Sequence, residues 1–161
     1  IGNTDDEIKA IYAKNSDELA QEEFLYCAFL YTDNNKKLEI YTKYTEKFNK
    51  DWRGFNNLGV VQYELNNLTA SKTALEKAKS LNANATIFNN LGNVCLGLGE
   101  IEAAKEYYAS ATGIKEASFG QGIISVKEGK YKAATEYFGS DCSFNNALAL
   151  LLNKNYDDSI A

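Results

Sequence analysis

Phe55-Asn56-Asn57-Leu58-Gly59 recurs letter for letter as Phe88-Asn89-Asn90-Leu91-Gly92, thirty-three residues further on. Self-similarity at a fixed period marks a stacked repeat, in which each unit is one supersecondary element that cannot bury its apolar face alone. Around the first copy, Phe55, Leu58, Val61 and Leu65 fall at helical spacing between Trp52 and Leu65. Asn66-Asn67 then turns the chain, and Ser71, Ala74, Leu75, Ala78 and Leu81 form the apolar stripe of a partner helix. Around the second copy, Phe88, Leu91, Cys95 and Leu98 mark a first helix, Gly99 a turn, and Ile101, Ala104, Tyr108 and Ala111 a second helix.

Working outward, a third unit is compressed. Gly122 precedes Gly129 by seven residues, as Gly92 precedes Gly99, and Tyr131, Ala134 and Phe138 follow with partner-helix spacing. Gly113 is expected to end the preceding helix in the left-handed conformation. The positions that open the second helices, Leu68, Ile101, Tyr131 and Tyr156, lie 33, 30 and 25 residues apart. A fourth unit starts at Ser143 and stops partway into its second helix, so Leu148, Leu150, Leu151 and Leu152 should be exposed or used in self-association.

Upstream, Asp5 to Lys14 reads as a short amphipathic helix with acids at its N-terminal end. Ser16 is expected to cap a helix that Leu19 opens and Tyr31 closes. After a turn at Asp33-Asn34-Asn35, Lys36 to Phe48 carries Ile40, Tyr41, Tyr44 and Phe48 on one side. The predicted organisation is one repeat domain, 1–161: a degenerate pair at 16–50, repeats at 51–84, 85–113 and 114–140, and a truncated repeat at 141–161. Glycine inside a helix is unfavourable by about 1 kcal/mol against alanine, so its recurrence at one register needs a packing reason. Gly59, Gly92 and Gly122 are predicted to meet Ser71, Ala104 and Ala134, where larger side chains would cost about 1–3 kcal/mol.

Composition excludes several functions. The 161 residues carry a net charge of −5, which opposes a nucleic-acid groove or docking on anionic lipid. Apolar runs such as Ala147 to Leu152 are far too short to span a bilayer. With no histidine, the commonest general base and metal ligand is missing, and no Ser/His/Asp or Cys/His arrangement can form. No catalytic residue, metal site or cofactor is expected. Cys27, Cys95 and Cys142 are widely separated and odd in number, and read as buried thiols, with one disulfide as the alternative. Gly97-Leu98-Gly99 and Gly120-Gln121-Gly122 lack the third glycine and the preceding strand of a dinucleotide loop. The chain opens on Ile1 rather than Met, as an excised mature segment or a domain cut from a longer protein would, so a missing targeting peptide says nothing of location.

The pattern resembles the tetratricopeptide repeat. Phe55/Leu58/Gly59 and Phe88/Leu91/Gly92 carry its aromatic-x-x-Leu-Gly half. Ala104/Tyr108 and Ala134/Phe138 carry its Ala-x-x-x-aromatic half, with Ser71/Leu75 a weaker version. The likeness covers residues 51–138 well and the flanks loosely. It departs from the family in having no proline at repeat ends, Phe for the signature Trp, and spacing below the family period. Asp51-Trp52-Arg53 before Phe55, and Tyr137-Phe138-Gly139 before Asn145-Asn146-Ala147, also resemble repeat segments of Gram-negative outer-membrane-associated, OmpA-like proteins.

The resemblance implies an all-α fold of antiparallel helix pairs, stacked as a tetratricopeptide-like right-handed solenoid with a concave wall lined by first helices. It implies a non-catalytic scaffold for a protein or peptide partner, as a module of a larger envelope protein in the periplasm or at the outer membrane, with the cytoplasm as the alternative setting. The competing reading is a spacer with an empty groove. With the packing face fixed by the Leu-Gly pairs, the groove set is Arg53, Asn56, Asn57, Val60 and Glu64 in one repeat. Thr86, Asn89, Asn90 and Asn93 follow in the next, and Glu116, Phe119, Ile123 and Lys127 in the third. Asparagine offers two donors and an acceptor, which suits an extended peptide backbone. Chaperone-tail binders of the family hold a terminal carboxylate with Lys and Arg. The matching positions here are Asn56, Val60, Asn90, Glu116 and Gly120, so no carboxylate clamp is expected.

Overall fold

The computed structural model describes residues 2–139 and 144–152, and divides the chain into two compact units, residues 1–83 and 84–161. The fold is all-α, of the tetratricopeptide-like solenoid class, and no strand occurs among the described residues.

In the first unit, α1 (Asp5–Asn15) starts at a reciprocal cap. Thr4 Oγ1 accepts from the Glu7 amide at 3.4 Å while Glu7 accepts from the Thr4 amide at 2.7 Å. The helix expected from Leu19 to Tyr31 under a Ser16 cap is not formed. Asn15, not Ser16, caps a 3₁₀ turn at Ser16–Glu18 through the Asp17 amide, and Leu19 is extended and buried. The α-helix proper, α2 (Gln21–Cys27), is followed by a 3₁₀ turn at Ala28–Leu30. The tighter 3₁₀ winding shifts side-chain directions relative to an α-helix. Phe29 is left 66% exposed and stacks on Tyr26 with centroids 6.4 Å apart. The unit continues with α3 (Asn34–Lys47), capped by Asp33, then α4 (Trp52–Glu64), capped by Asp51, and α5 (Leu68–Leu81). Its core joins Ile8, Tyr12, Phe24, Cys27, Ile40, Tyr41, Tyr44 and Val61. Edge-on ring contacts from Phe24 to Tyr12 and Tyr44 help fix it.

The second unit holds two hairpins, α6 (Ala85–Leu98) with α7 (Ile101–Ser110) and α8 (Lys115–Lys127) with α9 (Tyr131–Phe138), followed by α10 (Phe144–Leu152). Gly113 is left-handed at φ 82°, two residues past the end cap Ala111. Cys27 and Cys95 are buried free thiols. Cys142, and the second helix of the fourth unit expected from Lys154 to Ile160, lie outside the described residues. On α10, Leu148 and Leu150 are half-buried and Leu152 is 41% exposed.

Three hairpin turns share one hydrogen-bond pattern. Asn67 donates to Gln62 O, Glu100 to Cys95 O and Lys130 to Ser125 O, each at 2.8 Å and each closing over a left-handed residue. That residue is Gly99 at φ 78° and Gly129 at φ 73°, but Asn66 at φ 61° in the first hairpin. These are Schellman turns, for which glycine is the strain-free choice and asparagine the tolerated one.

The in-helix glycines make room for something other than was expected. A Cβ on Gly92 would stand 2.5 Å from Cδ1 and Cε1 of Tyr108, and one on Gly122 would enter the Phe138 ring. On Gly59 it would stand 2.5 Å from Leu75 Cγ. The nearest atoms therefore belong to the large residue one turn beyond the small one: Leu75 after Ser71, Tyr108 after Ala104, Phe138 after Ala134. Ser71 meets Gly59 as expected, its Oγ donating to Gly59 O at 2.6 Å, fully buried. The same device recurs between hairpins within a unit. Gly54 of α4 faces the Tyr44 ring of α3, and Gly120 of α8 faces Tyr108 of α7.

Candidate functional site

The first helices present their polar residues differently in the two units. On α4, Arg53 is drawn into an ionic knot. Its guanidinium donates to Glu22 at 2.7 and 2.9 Å and to Asp51 at 2.7–3.1 Å. Asp51, whose side chain is 8% exposed, also accepts from Tyr44 Oη at 2.5 Å, Gln21 Nε2 at 2.9 Å and the Arg53 amide at 3.0 Å. Burial works to raise the Asp51 pKa, but the donors from Arg53, Tyr44 and Gln21 overcome it and hold the carboxyl well below its usual range. The bonds to Asp51 and Glu22 push Arg53 upward in turn. A shallow depression of about 510 Å³ beside this knot is lined by Lys47, Phe48, Lys50, Trp52 and Arg53 among others.

Further along α4, Asn56 is buried and donates to Asn57 Oδ1 at 3.3 Å, and Asn57 donates to Tyr41 Oη at 3.4 Å. Asn57, Val60 and Glu64 come together as one wall of a cleft of about 150 Å³. Its other lining residues are Phe29, Lys37, Tyr41 and Val61. Burial raises the Tyr41 hydroxyl to about 12, so it is a neutral hydrogen-bonding group throughout the ordinary pH range. Phe29, Lys37 and Tyr41 were absent from the sequence-based set. Phe29 lies inside the segment expected as one continuous helix, and the structure sets it exposed on the 3₁₀ turn.

In the second unit, Thr86 is exposed at the start of α6, one turn before Asn89 and Asn90. Asn89 is 8% exposed, and its Oδ1 is buried with no hydrogen-bond partner. Asn90 is half-buried, and Asn93 accepts from Tyr108 Oη at 2.8 Å. On α8, Glu116 and Lys127 are exposed, whereas Phe119 and Ile123 pack against the cluster of Ala134, Phe138 and Ala149. The Phe119 and Phe138 rings lie 5.2 Å apart. Among the described residues no group of carboxylates and cysteines is arranged to hold a metal ion. No described helix is long and apolar enough to cross a membrane.

Comparison with known proteins gives this geometry a setting. The tetratricopeptide repeat profile matches residues 53–84 and 85–118, the two stretches that carry the repeated phrase. BBSome complex member BBS4 of Bos taurus is 26% identical over 121 residues, 73% of this chain, but that stretch is only 23% of BBS4. Among solved structures, MamA superposes with a TM-score of 0.72 at 20% identity, over 95% of this chain and 88% of MamA. YrrB, described as a TPR protein with an unusual peptide-binding site, superposes at 0.71 with 18% identity, over 98% and 89%. At such identities the superpositions speak for the fold alone, and the sequence profile for the repeats themselves. Residues 53–84 and 85–118 are tetratricopeptide repeats.

Proposed function

We propose that the chain is a non-catalytic scaffold that binds a protein or peptide partner through the first helices of its repeats. The observation that carries this reading is Asn89: its carbonyl oxygen is buried on the groove register of α6 and bonded to nothing. An orphaned acceptor costs about 1–3 kcal/mol, a cost a partner's N–H would remove. Asn57, Asn90 and Asn93 supply further amides on the same helices. The description of YrrB as a peptide binder and of BBS4 as a member of a complex agrees with a scaffold.

The test is selection from a random peptide library by the 161-residue chain. Selected peptides should lose affinity about 5- to 150-fold on the double change Asn57→Ala with Asn90→Ala, equivalent to about 1–3 kcal/mol, while the melting temperature falls only by the modest amount that the Asn57 bonds to Asn56 and Tyr41 account for. Unchanged affinity would remove this face from the scheme, and a library that enriches nothing would favour the spacer. A bacterial envelope setting is the second half of the proposal. It rests on the likeness of the Asp51-Trp52-Arg53 and Tyr137-Phe138-Gly139 segments to OmpA-like proteins. The bovine match means that the repeats alone do not carry it. Fractionation of cells producing the natural gene product tests it, and recovery wholly in the cytosol would refute it.

A further inference from the structure

The cleft between the Ala28–Leu30 turn, α3 and α4 has a shape and lining that the asparagine faces lack. At about 150 Å³ it matches the void that accepts one benzene ring in a protein interior. Its walls supply two rings, Phe29 and Tyr41, and two branched aliphatics, Val60 and Val61. Phe29 is 66% exposed and its stacking partner Tyr26 is 45% exposed, so an aromatic platform stands open beside the cleft. Exposed rings gathered at a concavity mark interaction sites more often than rings scattered singly.

Charge narrows the occupant. Lys37 on the α3 wall and Glu64 on the α4 wall line the same cleft, and neither forms an ion pair among the described residues. Elsewhere on α3, Lys36 and Lys43 are both bound to Glu39, so Lys37 is distinguished from its neighbours by being free. A cleft with an aromatic floor, one unspent cation and one unspent anion is complementary to a ring flanked by charges of both signs.

We propose that this cleft is a socket for an aromatic side chain of an extended peptide, with an acidic residue beside the ring meeting Lys37 and a basic one meeting Glu64. Tyr41 Oη and the Asn57 amide, 3.4 Å apart and weakly bonded, are placed to exchange that contact for the peptide backbone. The inference rests on the peptide-binding reading above and names the kind of segment that one part of the protein takes.

The experiment titrates the 161-residue chain with a blocked peptide of Asp-Phe-Lys between glycines, following the methyl signals of Val60 and Val61 by NMR. Saturable shifts of those methyls are expected, with the Asp-Ala-Lys peptide weaker by about tenfold or more. Phe29→Ala, at an exposed position, should weaken the Phe peptide several-fold without moving the melting temperature. Lys37→Glu together with Glu64→Lys should leave peptides of either charge order bound through the ring but reverse which order is preferred. Equal shifts from the Phe and Ala peptides, or none at Val60 and Val61, would overturn the socket. In that event, library peptides that still depend on Asn90 would leave the scaffold reading standing.

Discussion

The same five residues, Phe-Asn-Asn-Leu-Gly, sit in α4 and in α6, and their surroundings make two different sites of them. In α4 the first asparagine donates to the second, and the second to Tyr41. In α6 the first asparagine keeps a buried oxygen without a partner. The glycine of α4 accommodates Leu75 and receives the Ser71 hydroxyl on its carbonyl, whereas that of α6 accommodates the flat side of Tyr108. The residue after the glycine then decides what happens to the tyrosine: Asn93 takes the Tyr108 hydroxyl where α4 has Val60. An identical phrase thus fixes the backbone and the packing register. Side-chain bonding is set by residues 12 to 16 positions away in sequence, which no local reading can see.

The two helices also begin differently, and here the largest contrast is expected. Asp51 caps α4 and ties together Arg53, Tyr44 and Gln21, while Asn84 caps α6 through the Ile87 amide at 3.1 Å. Asp51→Ala should cost about 2–4 kcal/mol, because it removes a cap, takes from Arg53 one of its two carboxylates and leaves the Tyr44 hydroxyl without its acceptor. Asn84→Ala should cost about 0.5–2 kcal/mol. Urea titration of both variants makes the comparison, and equal losses would mean that the knot adds nothing to a simple cap. Acid gives a second check. The Asp51 pKa is lowered by folding, so its contribution is complete above the unfolded value of about 3.9 and is lost as pH falls toward the folded one. The stability gap between the native chain and Asp51→Asn should hold at neutral pH and shrink below about pH 4.

Next in size is the ring contact. A Cβ on Gly92 meets a tyrosine held on its other side by Gly120, whereas one on Gly59 meets Cγ and Cδ2 of the buried Leu75 and, at 3.3 Å, the Ser71 carbonyl oxygen. Gly92→Ala should therefore destabilise by about 1–3 kcal/mol, and Gly59→Ala by somewhat less, since one buried leucine has to shift where Gly92→Ala drives against a ring already flanked by Gly120. Combining Gly92→Ala with Tyr108→Leu should recover part of the loss in a double-mutant cycle. Strict additivity would show that the two positions do not press on each other.

Helical period and turn chemistry were legible because they are local properties. Trp52 to Glu64, Ile101 and Tyr131 fell close to where spacing put them, and Asn66, Gly99 and Gly129 where the turns required. The segment from Ser16 to Tyr31 was misread because a run of apolar residues has the same appearance in an α-helix and in a helix flanked by 3₁₀ turns. Ala28, Leu30 and Phe29 look alike in composition, yet Ala28 is fully buried and Phe29 mostly exposed. That misreading hid Phe29, whereas Lys37 and Tyr41, on the correctly read α3, enter the cleft only by tertiary placement. On α8, Phe119 and Ile123 were assigned to the groove by register. The structure packs both against the cluster around Phe138, where the area buried by a phenylalanine dominates local choice.

A smaller effect concerns the two buried asparagines. Asn89→Ala removes an unbonded buried oxygen and adds helix propensity, so it should raise stability by about 1 kcal/mol. Asn56→Ala, at the same register of α4, removes an amide that does bond and should lower stability by about 1 kcal/mol. Thermal unfolding of the pair distinguishes them. A loss in both would mean that the Asn89 oxygen is satisfied in solution, by a water bridging it to the backbone.

The smallest contrast lies in the turns. Three hairpins close with the same bond across a left-handed residue, and only the first uses a residue with a Cβ. The left-handed conformation costs an ordinary L-residue about 1–2 kcal/mol and asparagine less, because its short side chain bonds locally. Asn66→Gly relieves that strain but loosens the unfolded chain, so the two effects partly cancel. The net gain should be about 0.5 kcal/mol or less, visible as a small rise in melting temperature. Asn66→Ala keeps the left-handed backbone but lacks asparagine's intrinsic tolerance of it, so it should fall about 1 kcal/mol below the native chain. The transplant in the other direction, Gly99→Asn, should cost about as much as Asn66→Gly gains, because the turns share one geometry. If Gly99→Asn proved several times more costly, the matching hydrogen bonds would conceal a tighter second turn, and the equivalence of the two hairpins would end at their backbones.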